Sequence, residues 1–451
     1  MPLAPGADRR TIGSLIDEGR AHVPKPAGFL APYRVLDLTD HRGLLAGRML
    51  AQLGADVIQI EPPSGSPARA VGPFDDSVQE PHRSLYWAAY AACKRGVTCD
   101  LDSEAGRALF RRLVEKADFV IESETPGVMA ARGLDQASLR AVNPALIHVS
   151  ITPFGSEGPK ATWADSDLIL WASGGPLLQA RDGDQPPLRI SVPQAYLHAA
   201  ADGAGGALVA HFARVRTGVG QHVDVSVQQS VAQATLSSIL AAPIGHENFS
   251  LRVEPKSKTR KTLDLSGSGA RTRRSKWQVR DGLVEMHLAL GPAAGRFTNN
   301  FVAWMHEESA CDEAIAAWDW VTLPARIEND EITEEDLERV RGMVARFLAP
   351  KTKAEVAEVA MRRKLLVAPV ATTEDLANSA HHGSRGFFQT VHDAAGRSLR
   401  LPGHFAMGVP HGFVAMTPAP LPGQHDDEVY GGLLGMGADE IAALRSTGVI
   451  R

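Results

Sequence analysis

The sequence predicts an α/β protein whose main domain is a doubly wound parallel sheet. Short aliphatic runs alternate with segments of helical periodicity, and the first of them lie close enough to form βαβ units. Composition changes near Gly245, and strong helix signals resume further on. The chain therefore leaves a Rossmann-like large domain for a smaller α+β domain and then returns, so that both chain ends build the first.

Arg34-Val-Leu-Asp-Leu38 suits a buried strand. Leu44–Gly54 repeats apolar residues at helical spacing and ends on a glycine placed to cap it. Asp56–Ile60 is a second strand, stopped by Pro62 and Pro63. Strand, helix and strand in so few residues form a parallel unit with a right-handed crossover. The alternation continues with strand Gly96–Leu101, helix Glu104–Lys116 capped by Ser103, strand Phe119–Glu122, a short helix closed by Leu139–Val142, and strand Leu146–Ile151. Ala195–Arg214 is a long helix rich in Ala and Gly, a composition for close packing. Strand Val223–Val227 and helix Gln228–Ala242 follow.

The run 256–276 is basic and polar without apolar period, and reads as a mobile exposed loop. Gly282–His287 alternates like a strand. Thr333 with Asp336, and Thr352 with Glu355, have capping-box spacing for helices Glu334–Leu348 and Ala354–Lys364. Val367–Val370 holds Pro369 and is expected at a sheet edge. The expected organisation is an N-terminal arm 1–32 with a short helix around Ser14–Gly19, a large domain 33–244, a small domain 245–349, and a return to the large domain over 350–451.

A net charge of −5 over 451 residues gives no electrostatic reason to expect nucleic acid, so an anionic ligand needs a local basic site. Cys93, Cys99 and Cys311 cannot all pair and form no metal box, which points to a reducing, cytoplasmic setting. The first thirty residues lack the apolar region of a signal peptide, and no apolar run is long enough to span a bilayer. Gln424-His-Asp-Asp-Glu428 reads as a solvated turn, not a metal site, and His381-His382 as loop.

Several motifs follow one another between Tyr33 and Arg451. They are Arg34-Val-Leu-Asp-Leu-Thr39, Leu53-Gly-Ala-Asp-Val-Ile58 with Glu61-Pro62-Pro63, Lys94-Arg95-Gly-Val-Thr-Cys-Asp-Leu101, Pro126-Gly127 and Asn143-Pro144. Phe154-Gly155 with Gly158-Pro159, Ser173-Gly174-Gly175, Thr217-Gly-Val-Gly-Gln221 and Gly435–Arg445 complete the series. In this order they resemble the family III CoA-transferases (CaiB/BaiF), a group that includes formyl-CoA transferase, carnitine CoA-transferase and α-methylacyl-CoA racemase. The resemblance implies coenzyme A, presented as an acyl-CoA substrate, a carboxylic acid acceptor and no metal. It also implies an interlocked homodimer.

In such transferases an aspartate attacks the thioester, dividing one hard exchange into two covalent steps. It stands at the start of the helix that leads to the Thr-Gly-x-Gly-Gln turn. Counting back from Thr217 reaches Ala195 or Tyr196, and neither is a carboxylate. The racemase branch pairs that aspartate with a histidine, and Ser166 stands in the histidine's place before Asp167. A non-standard route is therefore expected. In one, His198 and Asp202, four apart on one helix face, act as base and orienter, with Tyr196 and Gln194 at the mouth. The plainer reading makes Asp202 a solvated or ion-paired helix residue and His198 a packed one. In another, Gln194 and backbone N–H groups stabilise an enolate or oxyanion. Isomerase, lyase or hydrolase chemistry is an alternative, and so is a non-catalytic acyl-CoA-binding protein or partner subunit. A nucleic-acid binder acting through the basic loop is more distant.

Coenzyme A carries phosphates and needs cations. The resemblance places Lys94 and Arg95 near the nucleotide, and Phe154 in a loop bordering the active site. Arg42 falls in the first strand-to-helix turn, where a doubly wound sheet binds its ligand, and is a candidate for holding an acidic acyl group. Relatives carry a glutamine and Gly-Pro there, and an Asn-aromatic pair where this chain has Glu122-Ser-Glu-Thr-Pro126. Gly267-Ser-Gly269 in the basic run is the candidate remnant of a glycine-containing loop over the pocket.

Overall fold

The computed structural model describes residues 28–179, 186–241, 275–406 and 412–451. The helix expected around Ser14–Gly19, all but the last two residues of the run 256–276, and Gly267-Ser-Gly269 lie outside the described residues.

Six strands form one sheet: β1 (Arg34–Asp37), β2 (Asp56–Glu61), β3 (Arg95–Thr98), β4 (Phe119–Glu122), β5 (Ile147–Thr152) and β6 (His222–Ser226). Their order is β3-β2-β1-β4-β5-β6, and every pair is parallel. The connection reverses direction between β1 and β4, the switch point beside which such sheets bind ligands. Six helices matter for the site: α1 (Leu44–Gln52), α2 (Leu85–Tyr90), α3 (Glu104–Val114), α4 (Asp167–Gly174), α5 (Ala195–Thr217) and α6 (Val227–Ala232).

One sheet face packs on α1 and α5, where Val35, Phe119, Ile121, Val149 and Ile151 share a core with Ala46, Leu50, Ala199, Ala204 and Ala207. The small residues let α5 approach closely: a Cβ on Gly203 would lie 3.1 Å from Ile151 Cδ1. The other face buries Leu36, Ile58 and Val120 against Leu109, Phe110 and Leu113 of α3, and against Tyr430, Ile441 and Ile450. Each such side chain contributes about 1.5–3 kcal/mol on burial.

The chain divides into two compact units. The first holds the described residues up to Leu177, Arg189–Leu236 and Ser384–Arg451, so both chain ends build it. The second holds the described residues within 178–188 and 237–383. In the second, Lys276–Val279 pairs antiparallel with Gly282–Met286, which pairs with Val367–Val370. Trp277, Phe301, Trp304, Trp320 and Phe347 fill its core. The capping boxes at Thr333 and Thr352 both form, and the strand carrying Pro369 is at a sheet edge.

Several boundaries differ from the sequence reading. The second unit continues past Ala349 because Val367–Val370 completes its sheet. Lys276 opens a strand and does not belong to a loop. The helix expected over Gln228–Ala242 is broken after α6 by the 3-10 turn Gln233–Thr235. In the segment Gln424–Glu428, Gln424, Asp427 and Glu428 are exposed as a solvated turn requires, but Asp426 is not. Asp426 is fully buried and accepts from the Thr98 N–H at 2.9 Å and the Thr98 hydroxyl at 3.0 Å. Burial pushes its carboxyl up to about 6 against those two bonds.

Candidate active site

The switch point lies between β1 and β4. Leaving β1, the chain presents Asp40, His41 and Arg42; leaving β4, it presents Ser123 and Glu124. Asp40 Oδ1 accepts from the Arg42 backbone N–H at 2.9 Å, from Arg42 Nε at 3.0 Å and from the Ser123 hydroxyl at 3.2 Å. Burial works against ionisation of Asp40, but the Arg42 guanidinium outweighs it and holds the carboxyl below its ordinary value. Only the Nε edge of Arg42 is engaged: its two Nη atoms make no hydrogen bond among the described residues. Tyr86 steadies the turn, its hydroxyl donating to the His41 carbonyl at 2.8 Å.

Tyr196, in the first turn of α5, comes to the same place. Its hydroxyl donates to Asp165 Oδ2 at 2.6 Å, and its ring lies 6.5 Å from that of His41. Burial and then the Asp165 carboxylate push the phenol well above its ordinary value, so it stays a neutral donor. Asp167 Oδ1 accepts from the Gln194 and Ala195 N–H groups at 2.7 and 2.8 Å, pinning the start of α5 where the helix dipole favours an anion. Ser166 caps α4 through the Ile169 N–H at 3.3 Å.

The four residues considered together as catalytic do not meet. Gln194 flanks the start of α5 and donates through its backbone. His198 and Asp202 face away from Tyr196, because a helix turns about 100° per residue and two positions carry a side chain to the far side. They share a face, as their spacing implies, but no hydrogen bond joins them. With Trp171, Ser230 and Gln233 they line a separate open groove. Asp202 there accepts from Gln233 Nε2 at 3.1 Å, and the His198 ring meets the Trp171 ring edge-on at 5.9 Å.

The expected nucleotide cations are already engaged inside the protein. Lys94 Nζ donates to Asp37 Oδ2 at 2.7 Å, to the Leu44 carbonyl at 2.9 Å and to Gln59 Oε1 at 2.9 Å. All three of its protons are used, and no part of the side chain is exposed. Gly47 leaves room for this pair, since a Cβ there would collide with the Asp37 carboxylate. Arg95 binds Asp56 through Nε and Nη2 and Glu428 through Nη1. Phe154 packs into the main core and meets the Trp163 ring edge-on.

Asp40, His41 and Asp165 were not singled out by sequence reasoning; as lone polar residues in turns they gave no signal. Glu122 is a further finding. It is buried at the end of β4, and its Oε2 accepts from the Glu124 N–H at 2.6 Å. Burial pushes its carboxyl up to about 7. His148 Nε2 lies 3.8 Å from its other oxygen. Neither ring nitrogen of His148 is hydrogen-bonded, and burial, with His222, pulls the imidazole down to about 3. Among the described residues no group of three His, Cys, Asp or Glu side chains is placed to share a metal ion, and no helix is long and apolar enough to cross a membrane.

Residues 30–426 match the family model described as CoA-transferase family III. The chain belongs to CoA-transferase family III. It is 33% identical over 374 residues to succinyl-CoA:(R)-benzylsuccinate CoA-transferase subunit BbsE of Thauera aromatica, covering 82% of this chain and 86% of the relative. It is 30% identical over 440 residues to succinyl-CoA–D-citramalate CoA-transferase of Chloroflexus aurantiacus, covering 95% of this chain and 98% of that one. The fold matches a crystal structure of a CaiB/BaiF family protein from Brucella suis with a TM-score of 0.72, at 24% identity, over 90% of this chain and all of the other. This family III fold, a parallel six-stranded sheet accompanied by small antiparallel sheets, is the one described above.

Proposed function

We propose that this family III chain binds an acyl-CoA at the carboxyl end of its parallel sheet and works at or beside the thioester without a carboxylate nucleophile. One observation carries the reading: α5 starts Ala195-Tyr196, with Ala195 buried and the Tyr196 phenol held neutral against Asp165. A phenol in that state is a hydrogen-bond donor and not an attacking group. Arg42, whose two Nη groups make no hydrogen bond among the described residues, suits stabilisation of developing negative charge on the thioester oxygen or on an attacking carboxylate, while the single Tyr196 proton is committed to Asp165. The relatives' names pair succinyl-CoA with citramalate or benzylsuccinate, which supports a carboxylic acid as acceptor. Three free cysteines suit a reducing, cytoplasmic compartment, and the family resemblance supports a homodimer.

A second reading has one specific support: the Thauera relative is named as a subunit. On this reading the chain binds acyl-CoA while a non-identical partner supplies the missing carboxylate.

Mass spectrometry of the pure protein incubated with several acyl-CoAs, with and without free acids, separates these. A new acyl-CoA that forms only with an added acid supports transfer by this chain alone. Bound but unchanged acyl-CoA moves the assignment to a partner subunit. Free CoA without an acceptor overturns transfer in favour of hydrolysis.

A further inference from the structure

We infer that Arg42 reads the acyl group, and that the preferred acyl group carries a second, free carboxylate. The inference rests on the proposed acyl-CoA reading of the same crevice. Cations near this end of the sheet include Arg42 on the turn before α1, Arg48 on α1, Arg69 in the turn Pro67–Ala70, Lys94 before β3, Arg132, which is engaged by Asp102 and Glu124, and Arg189, which pairs with Asp167 at 3.2 Å. Three of them are sealed in. Lys94, Arg48 and Arg69 are only 4%, 5% and 7% exposed. Lys94 holds Asp37, Arg48 donates to the Pro402 carbonyl, and Arg69 grips Glu61 at 2.7 and 2.8 Å. The Arg42 side chain is 20% exposed and reaches solvent.

Its geometry is that of a fixed fork. Asp40 binds the Nε edge and the backbone N–H of Arg42, while Ser123 also donates to Asp40. Asp40 is thus occupied by donors and sets the direction of the guanidinium. The two Nη groups remain as the parallel pair that matches a carboxylate. Tyr196 and Asp165 are within electrostatic reach of the guanidinium, so the fork lies at the same end as the start of α5. A phosphate of CoA offers related chemistry. With the Asp40 and Asp165 carboxylates both near, repulsion opposes a dianionic phosphate more than a monoanionic carboxylate.

The test is equilibrium binding of succinyl-CoA, butyryl-CoA and CoA to the full chain and to its Arg42→Gln and Arg42→Lys variants. Butyryl-CoA matches succinyl-CoA in chain length, so the ratio of the two affinities isolates the carboxylate and cancels any loss of folded protein. The unsubstituted chain is expected to favour succinyl-CoA by about 10- to 100-fold, the range of a charge-assisted hydrogen-bonded pair. Arg42→Gln should bring the ratio close to one, and Arg42→Lys should keep part of it. A ratio near one in the unsubstituted chain while the thioesters bind, or a preference that survives Arg42→Gln, overturns the inference and leaves the acyl-CoA reading standing. Loss of CoA affinity in Arg42→Gln without any succinyl preference assigns the fork to a phosphate and overturns it too. If none of the three ligands binds, both readings fall.

Discussion

Two carboxylate–cation pairs start three residues apart where β1 runs out toward α1, and they have opposite fates. Asp37 and Lys94 are wholly buried, with every proton of the ammonium on an oxygen. Asp40 and Arg42 keep 17% and 20% of their side chains exposed, and the arginine keeps two nitrogens unbonded among the described residues. The chemistry of the partners is alike; the difference is access to water. Sealing a pair makes each member a heavy liability without the other, because the survivor is a charge stranded in the interior. Leaving a pair at the rim keeps its contribution to stability small and leaves the cation available to a ligand.

The largest effect should come from breaking the sealed pair. Lys94→Met or Asp37→Leu alone is expected to cost about 3–5 kcal/mol in denaturant unfolding, with much of that recovered when both are replaced together. Gly47→Ala, which leaves both charges in place but crowds Asp37, should be destabilising as well. A cost below about 1 kcal/mol for either charge removal would break the contrast, since it is what a rim pair gives.

Next comes pH. Glu122 has a folded value of about 7 against an ordinary 4.5, so its contribution is fully present below pH 4.5 and lost as pH rises through 7. His148, depressed to about 3 from 6.5, works the other way: its contribution is present above pH 6.5 and lost as pH falls toward 3. Chemical denaturation of Glu122→Gln should match the unsubstituted chain near pH 4 and exceed it at pH 8. The gain is about 1.4 kcal/mol for each unit by which the carboxyl had been raised. Equal stability of the two proteins at pH 8 would mean that Glu122 ionises freely.

The smallest effect on stability should come from Asp40→Asn, within about 1 kcal/mol. Its consequence should appear in recognition: with the bracket weakened, the preference for succinyl-CoA over butyryl-CoA is expected to fall several-fold. A large drop in melting temperature with the preference intact would make the rim pair a structural one, like its neighbour.

Much of both units was legible in the sequence because it rests on local pattern. Arg34–Leu38, Asp56–Ile60 and Phe119–Glu122 read as strands from aliphatic runs alone, and Ser103, Thr333 and Thr352 announce their helices through cap spacing. The site was less so. Lysine is seldom buried, so nothing in Lys94-Arg95 signals that an aspartate on β1 will enclose the first of them. The pairing of His198 with Asp202 on one helix face was right, but their relation to Tyr196 was not. The deciding signal was present in the small residues Ala199, Gly203, Ala207 and Ala210, which mark the buried side of α5. Projected around the helix, that stripe puts Tyr196 inward and His198 outward. Asp40, Arg42 and Ser123 meet only because β1 and β4 are neighbours in a sheet whose order the sequence does not spell out.

The segment 425–451 bears on how the sheet is completed. Strand β3 is an edge of the six-stranded sheet, yet its outer side is not open. Gly96 exchanges two hydrogen bonds with His425, and Thr98 takes Asp426, the Tyr430 hydroxyl and the N–H of Arg451. Residues more than 320 positions away in sequence thus finish what β3 begins. During synthesis the outer side of β3 stays bare until residues 425–451 have emerged and folded back onto it. A chain cut before His425 would carry that edge permanently.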